Sequence, residues 1–171
     1  RAPMDFERLQ GYGIINWGDV REPGGAWQIS INATPTEGPE GHLRIGTSRG
    51  QVIGTTDLRD SKWHHCAVVM YGQEDGKPNT ATHILLYVDG KLEPAARKSV
   101  REVDTVMIPD PSERSHGIWM GRNLAFEFED SPGGVRYGRF FRGDVDEMII
   151  CDTALNQAQI LRLMEKNEMP E

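Results

Sequence analysis

Turn residues cut this chain into short pieces. Among 171 residues there are 19 Gly and 10 Pro. They cluster at Gly24-Gly25, Pro39-Glu40-Gly41, Ser48-Arg49-Gly50, Asp75-Gly76-Lys77-Pro78-Asn79, Asp89-Gly90, Pro109-Asp110-Pro111 and Pro132-Gly133-Gly134. Gly reaches positive φ without strain and Pro removes a backbone donor, so regular elements stop at such clusters. What remains between them is about ten apolar runs, most of them too short for a helix.

Several runs read as strands. Trp27, Ile29 and Ile31 alternate with Gln28, Ser30 and Asn32, the period of a half-buried strand, which puts the three polar residues on the face opposite Trp27. Ile14-Ile15-Asn16-Trp17 is a further run. Leu43 and Ile45, then Val52-Ile53, flank Ser48-Arg49-Gly50, which predicts a hairpin with Gly50 in the left-handed position. Trp63 to Tyr71 and Ile84 to Val88 follow, the second closed by Asp89-Gly90 and continued by Lys91-Leu92, the strongest short hairpin signal. Val100 to Ile108 is weaker. Gly117 to Gly121 is short and apolar, as a central strand would be, and Val145 to Cys151 reads as a last strand.

One segment alone reads as a helix. Asn156 caps, Gln159 completes a capping box, and Leu155 is placed to staple to Ile160. The spacing predicts a helix over Gln157 to Lys166, with Arg162 and Lys166 toward its negative end. Many short strands with one terminal helix describe a β-sandwich of two antiparallel sheets, whereas an α/β fold requires helices between the strands.

The length suits a single domain over 1–171, enough to bury a core. Four Trp, five Phe and four Tyr argue for an ordered chain. With Lys plus Arg at 19 and Asp plus Glu at 26, the net charge is −7. That disfavours nucleic acid, whose binding runs on phosphate neutralisation, and an anionic membrane surface. No stretch is long and apolar enough to insert in a membrane. The chain opens on Arg1-Ala2-Pro3 without a leader pattern and is expected to be excised from a longer protein. Cys66 and Cys151 each sit in an apolar run, and whether they are free or paired stays open.

Three stretches in order carry a family resemblance. They are Trp63 to Gly72, Leu86 to Leu92, and Phe141 to Ile150 followed by Ala154-Leu155-Asn156 and the helix. Together, over about Gly13 to Leu163, the chain resembles the laminin G-like branch of the concanavalin A-like lectin/glucanase superfamily, to which pentraxins also belong. The resemblance implies a concanavalin A-like jelly roll of two antiparallel sheets. In it the Trp63 and Asp89-Gly90 strands are neighbours, Trp63 lies in the core, and the C-terminal helix closes one end of the sandwich. Family members usually carry a further strand before the position of Gly13. Only twelve residues precede Gly13 here, so an edge of the sandwich is expected to be missing, disordered or supplied by another chain, and dimerisation through that edge is one expectation.

The implied function is a non-catalytic, extracytoplasmic binding or adhesion module for a glycan or protein ligand. A structural or self-association domain without a small ligand is the second reading. A degenerate glycoside hydrolase is the third, and Asp144-Val145-Asp146-Glu147 argues against it. Laminarinase-type enzymes place an E-x-D-x-x-E strand in a cleft, and no Glu follows Asp146 by three residues. No catalytic residue is therefore assigned. Trp17 and Trp27 are candidate ligand residues, since flat aromatic faces stack on sugars, although packing inside the sandwich is their ordinary use. Asn123 joins them, from the Arg122-Asn123-Leu124 run that stands where pentraxins carry calcium ligands. Candidate calcium ligands are instead Glu127, Glu129, Asp130 and Asp144, hard oxygen donors in and after that loop. His64 and His65 are neighbours on a predicted strand, so they point apart and do not chelate together.

Overall fold

A computed structural model describes residues 12–17, 27–47, 50–72, 78–103, 118–123 and 139–169. The strands are β1 (Tyr12–Trp17), β2 (Trp27–Ile31), β3 (His42–Thr47), β4 (Gly50–Asp57), β5 (Cys66–Met70), β6 (Ile84–Val88), β7 (Lys91–Leu92), β8 (Arg97–Lys98), β9 (Ile118–Met120), β10 (Arg122–Asn123) and β11 (Arg139–Phe140). One helix, α1 (Gln157–Lys166), follows. The larger sheet runs β10-β11-β1-β2-β3-β4-β8 with β9 beside β1, and the smaller runs β5-β6-β7. The pairings are antiparallel, apart from a parallel contact between β1 and β11 at Gly13 and Phe140.

Period-two alternation sorts the side chains into layers. Ile31 on β2, Leu43 and Ile45 on β3, and Val52 on β4 pack against Ile84, Leu86 and Val88 on β6. The residues between these on the smaller sheet, Tyr87 and Val69, point the other way, onto Ile160 of α1. The helix thus covers the outer face of the smaller sheet rather than closing one end of the sandwich. Its single apolar stripe, spaced for 3.6 residues per turn, finds its partner there.

The helix is held as its sequence predicts. Asn156 accepts from the Gln159 backbone at 3.0 Å, and the Gln159 side chain accepts from the Asn156 backbone at 2.9 Å. Leu155 packs in the cluster of Ile160, and Asn167 ends the helix at φ 51°. The Asp89-Gly90 turn carries positive φ at both residues, 51° and 71°, as a type I′ hairpin requires. The helix seats on this turn: Gln157 Nε2 donates to Gly90 O at 2.9 Å, and any side chain at 90 would strike Leu161.

Four expectations are corrected. Gly50 does not adopt the left-handed turn conformation; it is the first residue of β4, opposite Thr47. Its lack of a side chain serves packing, since a Cβ there would stand 2.6 Å from Thr80. Trp63 is 57% exposed and precedes β5, in a turn where Ser61 takes φ 61°. Ile118 to Met120 forms a three-residue exposed strand beside β1, where the hydrogen-bonding side of β1 is shared with β11. Val145 to Cys151 forms no strand, and Ile150 is 53% exposed. Glu147 at φ 48° interrupts its extended run, and a cavity separates it from β5. Val100 is likewise exposed, while Val103 is buried and 104–110 lie outside the described residues. Cys66 and Cys151 are both free thiols.

Two polar clasps join the parts. The Glu93 carboxylate, just after β7, accepts the Thr55 and Thr56 backbone N–H groups at 2.7 and 2.8 Å and the Thr56 hydroxyl at 2.7 Å. Burial alone raises the pKa of Glu93, but these donors outweigh it and leave the carboxyl more acidic than usual. His64 bridges two carboxylates, with Nδ1 2.9 Å from Asp89 and Nε2 3.0 Å from Asp60. Burial opposes protonation of His64, yet Asp89 and Asp60 hold its pKa above the ordinary imidazole value. Asp60 falls to about 2, chiefly because it accepts the Lys62 backbone N–H and then because of His64.

Both clasps give expected outcomes. Replacing Glu93 with Ala removes the acceptor of the exposed Thr55 and half-buried Thr56 donors on β4 and is expected to cost about 1 kcal/mol in denaturant unfolding. The stability Glu93 contributes is present above the unfolded carboxyl pKa and disappears as pH falls through its lower folded value. For His64 the sign is opposite. Its contribution is full below the unfolded imidazole pKa and disappears as pH rises through the folded one. Melting temperature is therefore expected to fall as pH rises above about 6.5, the unfolded imidazole value, and to fall less in His64→Gln.

Candidate functional site

Two surfaces of the larger sheet present themselves, one outside and one between the sheets. The outer one follows from register. Trp119 pairs with Asn16, Asn16 with Gln28, Gln28 with Gly46, and Gly46 with Gln51. These five residues lie in one row across β9, β1, β2, β3 and β4, on the face away from Ile29 and Ile45. At roughly 4.8 Å per strand the row spans about 19 Å. Trp119 stands at one end, 41% exposed. Asn16 is 1% exposed, and neither atom of its amide has a hydrogen-bond partner among the described residues.

The far half of the row is a small polar pocket of 150 Å³, lined among others by Gln28, Arg44, Gly46 and Gln51. Arg44 lies over Gly46, where a Cβ would come within 2.8 Å of its Nη1. Its guanidinium is fixed by Glu37 at 3.1 Å and by the Gln51 side-chain oxygen at 2.9 Å. Burial lowers the pKa of Arg44, and the Glu37 charge opposes that shift. Glu37 is delivered by the loop between β2 and β3, which Asn32 organises. The Asn32 amide donates to Gly38 O and Pro39 O at 2.9 Å each, while its oxygen accepts the Thr34 N–H. Gln28, Ser30 and Asn32 do face away from Trp27, as their alternation predicts, but they are buried rather than solvated.

This chemistry suits hydroxyl-rich ligands. Amides donate and accept at once, a fixed guanidinium adds directed donors, and an indole offers a flat face. An unmatched buried amide such as Asn16 costs stability unless something bonds to it.

The sequence candidates fall elsewhere. Trp17 and Trp27 are opposite each other on the inner face, their ring centroids 6.0 Å apart at 58°. They line a 960 Å³ cavity between the sheets. Asn123 is in β10, the end strand of the larger sheet, so the structure does not bring it together with the two indoles. Glu127, Glu129 and Asp130 lie outside the described residues, whereas Asp144 is exposed beside the inner cavity. Among the described residues no group of three or more His, Cys, Asp or Glu is placed to hold a metal.

Sequence reasoning missed Arg44, Gln51 and Trp119. Arg44 and Gln51 could have been found by extending the Gln28 parity across the β3–β4 hairpin. Trp119 could not, since β9 pairs with β1 over a long separation in sequence.

No curated protein and no solved structure matches the chain. A laminin G family model described as the concanavalin A-like lectin/glucanases superfamily matches residues 10–161, nearly the whole chain. With the two-sheet architecture in place, the chain belongs to the laminin G-like family of the concanavalin A-like lectin/glucanase superfamily.

Proposed function

We propose that this domain is a non-catalytic, extracytoplasmic binding module that takes a neutral glycan across the outer face of its larger sheet. The observation that carries the reading is the row Trp119, Asn16, Gln28, Gly46 and Gln51, with the buried amide of Asn16 unmatched among the described residues. A neutral ligand fits because Arg44 and Glu37, the charged side chains at the far half of the row among the described residues, are already paired with each other. Membership of a family whose domains commonly mediate binding agrees with it. The place outside the cytoplasm rests on that family habit; no described helix is long and apolar enough to cross a membrane.

The non-catalytic part of the reading is supported by the carboxylates themselves. Glycosidases need two carboxyl groups held at a set separation across the scissile bond. Asp144, Asp146 and Glu147 are exposed on a stretch without strand structure, so strand alternation does not bring them to one side. Asp144 also remains a candidate calcium ligand together with Glu127, Glu129 and Asp130. The Glu37 carboxylate at the row is taken up by Arg44, and the other groups there are amides, so glycan binding is expected to persist in chelator.

Retardation of the protein in gels containing neutral polysaccharides tests the reading, with melting temperature as the check on folding. Wild-type protein is expected to be retarded by at least one neutral glycan, equally with calcium and with chelator. Trp119→Ala and Gln51→Ala are each expected to weaken binding by about 1–3 kcal/mol, the range of a lost stacking face or a hydrogen bond left unmatched. Trp63→Ala, at an exposed indole outside the row, is expected to change nothing. Retardation that survives both row substitutions would remove the outer face as the site.

A further inference from the structure

Asn32-Ala33-Thr34 has the Asn-x-Thr pattern that N-glycan transfer requires, with a residue other than Pro between, and no other Asn in the chain has it. Transfer joins the amide nitrogen of the Asn to the anomeric carbon of a sugar. The donor is an oligosaccharide carried on a lipid diphosphate. The bond from the anomeric carbon to the diphosphate oxygen breaks, the lipid diphosphate leaves, and the amide gives up one proton. The reaction therefore needs an amide that is exposed and uncommitted.

In the fold Asn32 meets neither condition. It directly follows β2 and is 1% exposed. Its Nδ2 has two protons, and these serve Gly38 O and Pro39 O at 2.9 Å each, with Thr34 O at 3.3 Å. Its Oδ1 accepts the Thr34 N–H at 3.2 Å. The backbone is held as well: Asn32 N donates to His42 O, and Asn32 O accepts from Gly41, both at 2.8 Å. The loop from Thr34 to Gly41 thus closes around the amide.

The same loop is tied down further along. Glu37 holds Arg44 on β3, and Arg97 on β8 donates to Thr36 O at 2.9 Å. Gly38 sits so close over Ile53 of β4 that a Cβ there would stand 2.8 Å from its Cδ1. A sugar on Nδ2 removes one of the two protons and puts a ring where the Gly38 and Pro39 carbonyls now stand. One buried carbonyl loses its donor, and the loop cannot seat on Ile53, which is fully buried under it.

We propose that Asn32 is a sugar acceptor only in the unfolded chain, and that a glycan attached there prevents the domain from folding. Folding and transfer then compete for one nitrogen atom. A cell that transfers N-glycans to chains during export loses a share of this domain to a modified, unfolded form. A cell without such transfer keeps all of it. The exclusion rests on the bonds of Asn32 and is independent of what the outer row binds.

Synthesis of the full chain behind an export signal, into microsomes that transfer N-glycans, tests this, because transfer there meets the chain before it folds. Wild type, Thr34→Val and Pro35→Ala are compared. Thr34→Val removes the acceptor pattern and keeps every hydrogen bond named above, since Thr34 joins them through its backbone. Pro35→Ala, at an exposed position, takes away a stiff residue beside the acceptor and is expected to raise the modified share. Modified and unmodified chains are separated by size, and the cutting of each by protease is followed. Modified wild-type and Pro35→Ala chains are expected to be cut at least about tenfold faster than unmodified chains in the same sample. Thr34→Val is expected to stay unmodified and as resistant as unmodified wild type. Protein folded beforehand without transfer, then added to the same membranes opened with detergent, is expected to remain unmodified. Equal resistance of modified and unmodified chains would overturn the proposal, and so would transfer to the folded protein. Absence of transfer to both the wild-type and the Pro35→Ala nascent chains would overturn it too, since Asn32 would then be an acceptor in no state.

Discussion

The register of β1 through β4 decides what each side of the larger sheet can do. In a strand the side-chain period is two, so a slip of one residue exchanges the faces completely. The pairs Asn16 with Gln28, Gln28 with Gly46, and Gly46 with Gln51 therefore place a continuous polar row outside. The same pairs oblige Trp17, Trp27, Ile29, Ile45 and Val52 to face inward. The shift in register between Gly13 and Ile15 matters here, since it lets Ile14 and Ile15 both join the inner side while Asn16 stays outside. Asn32 extends the same logic into the loop, where its amide fixes the segment that brings Glu37 to Arg44.

The sandwich is not equally closed on its two flanks. Around the Asp89-Gly90 turn the structure is tied from several directions: the helix through Gln157 and Leu161, the β4–β5 connection through His64, and the edge of β4 through Glu93. On the other flank β5 is the last strand of the smaller sheet among the described residues, and the segment bearing Met148 to Cys151 borders the cavity without strand structure. A polar row on one face of the larger sheet thus coexists with a cavity on the other. The first carries the amides and the indole on which the proposed glycan binding rests. The second has an apolar floor of Trp17, Trp27 and Ile29.

Much of the architecture was legible in local chemistry. The capping box at Asn156 and Gln159, the Asp-Gly turn, and the alternation in Trp27 to Ile31 each depend on residues a few positions apart, and each took the expected form. What failed depended on distant partners. Val145 to Cys151 has the composition of a strand, but a strand needs a neighbour, and β5 lies across a cavity. Trp63 was assigned to the core by its place in a family motif, but a turn at Ser61 and the clasp on His64 leave it outside β5. The site shows the same division. The opposite facing of Gln28 and Trp27 followed from period alone, while the addition of Arg44, Gln51 and Trp119 needed the pairing of strands.

The central claim is that the outer row, and not the inner indoles, meets the ligand. Nuclear magnetic resonance of labelled protein, titrated with an oligosaccharide from whichever neutral glycan retards it, addresses this directly. The side-chain amides of Asn16, Gln28 and Gln51 and the indole N–H of Trp119 are expected to shift together, with the indoles of Trp17 and Trp27 unmoved. Movement of Trp17 and Trp27 with the amide row silent would contradict the account and place the ligand between the sheets.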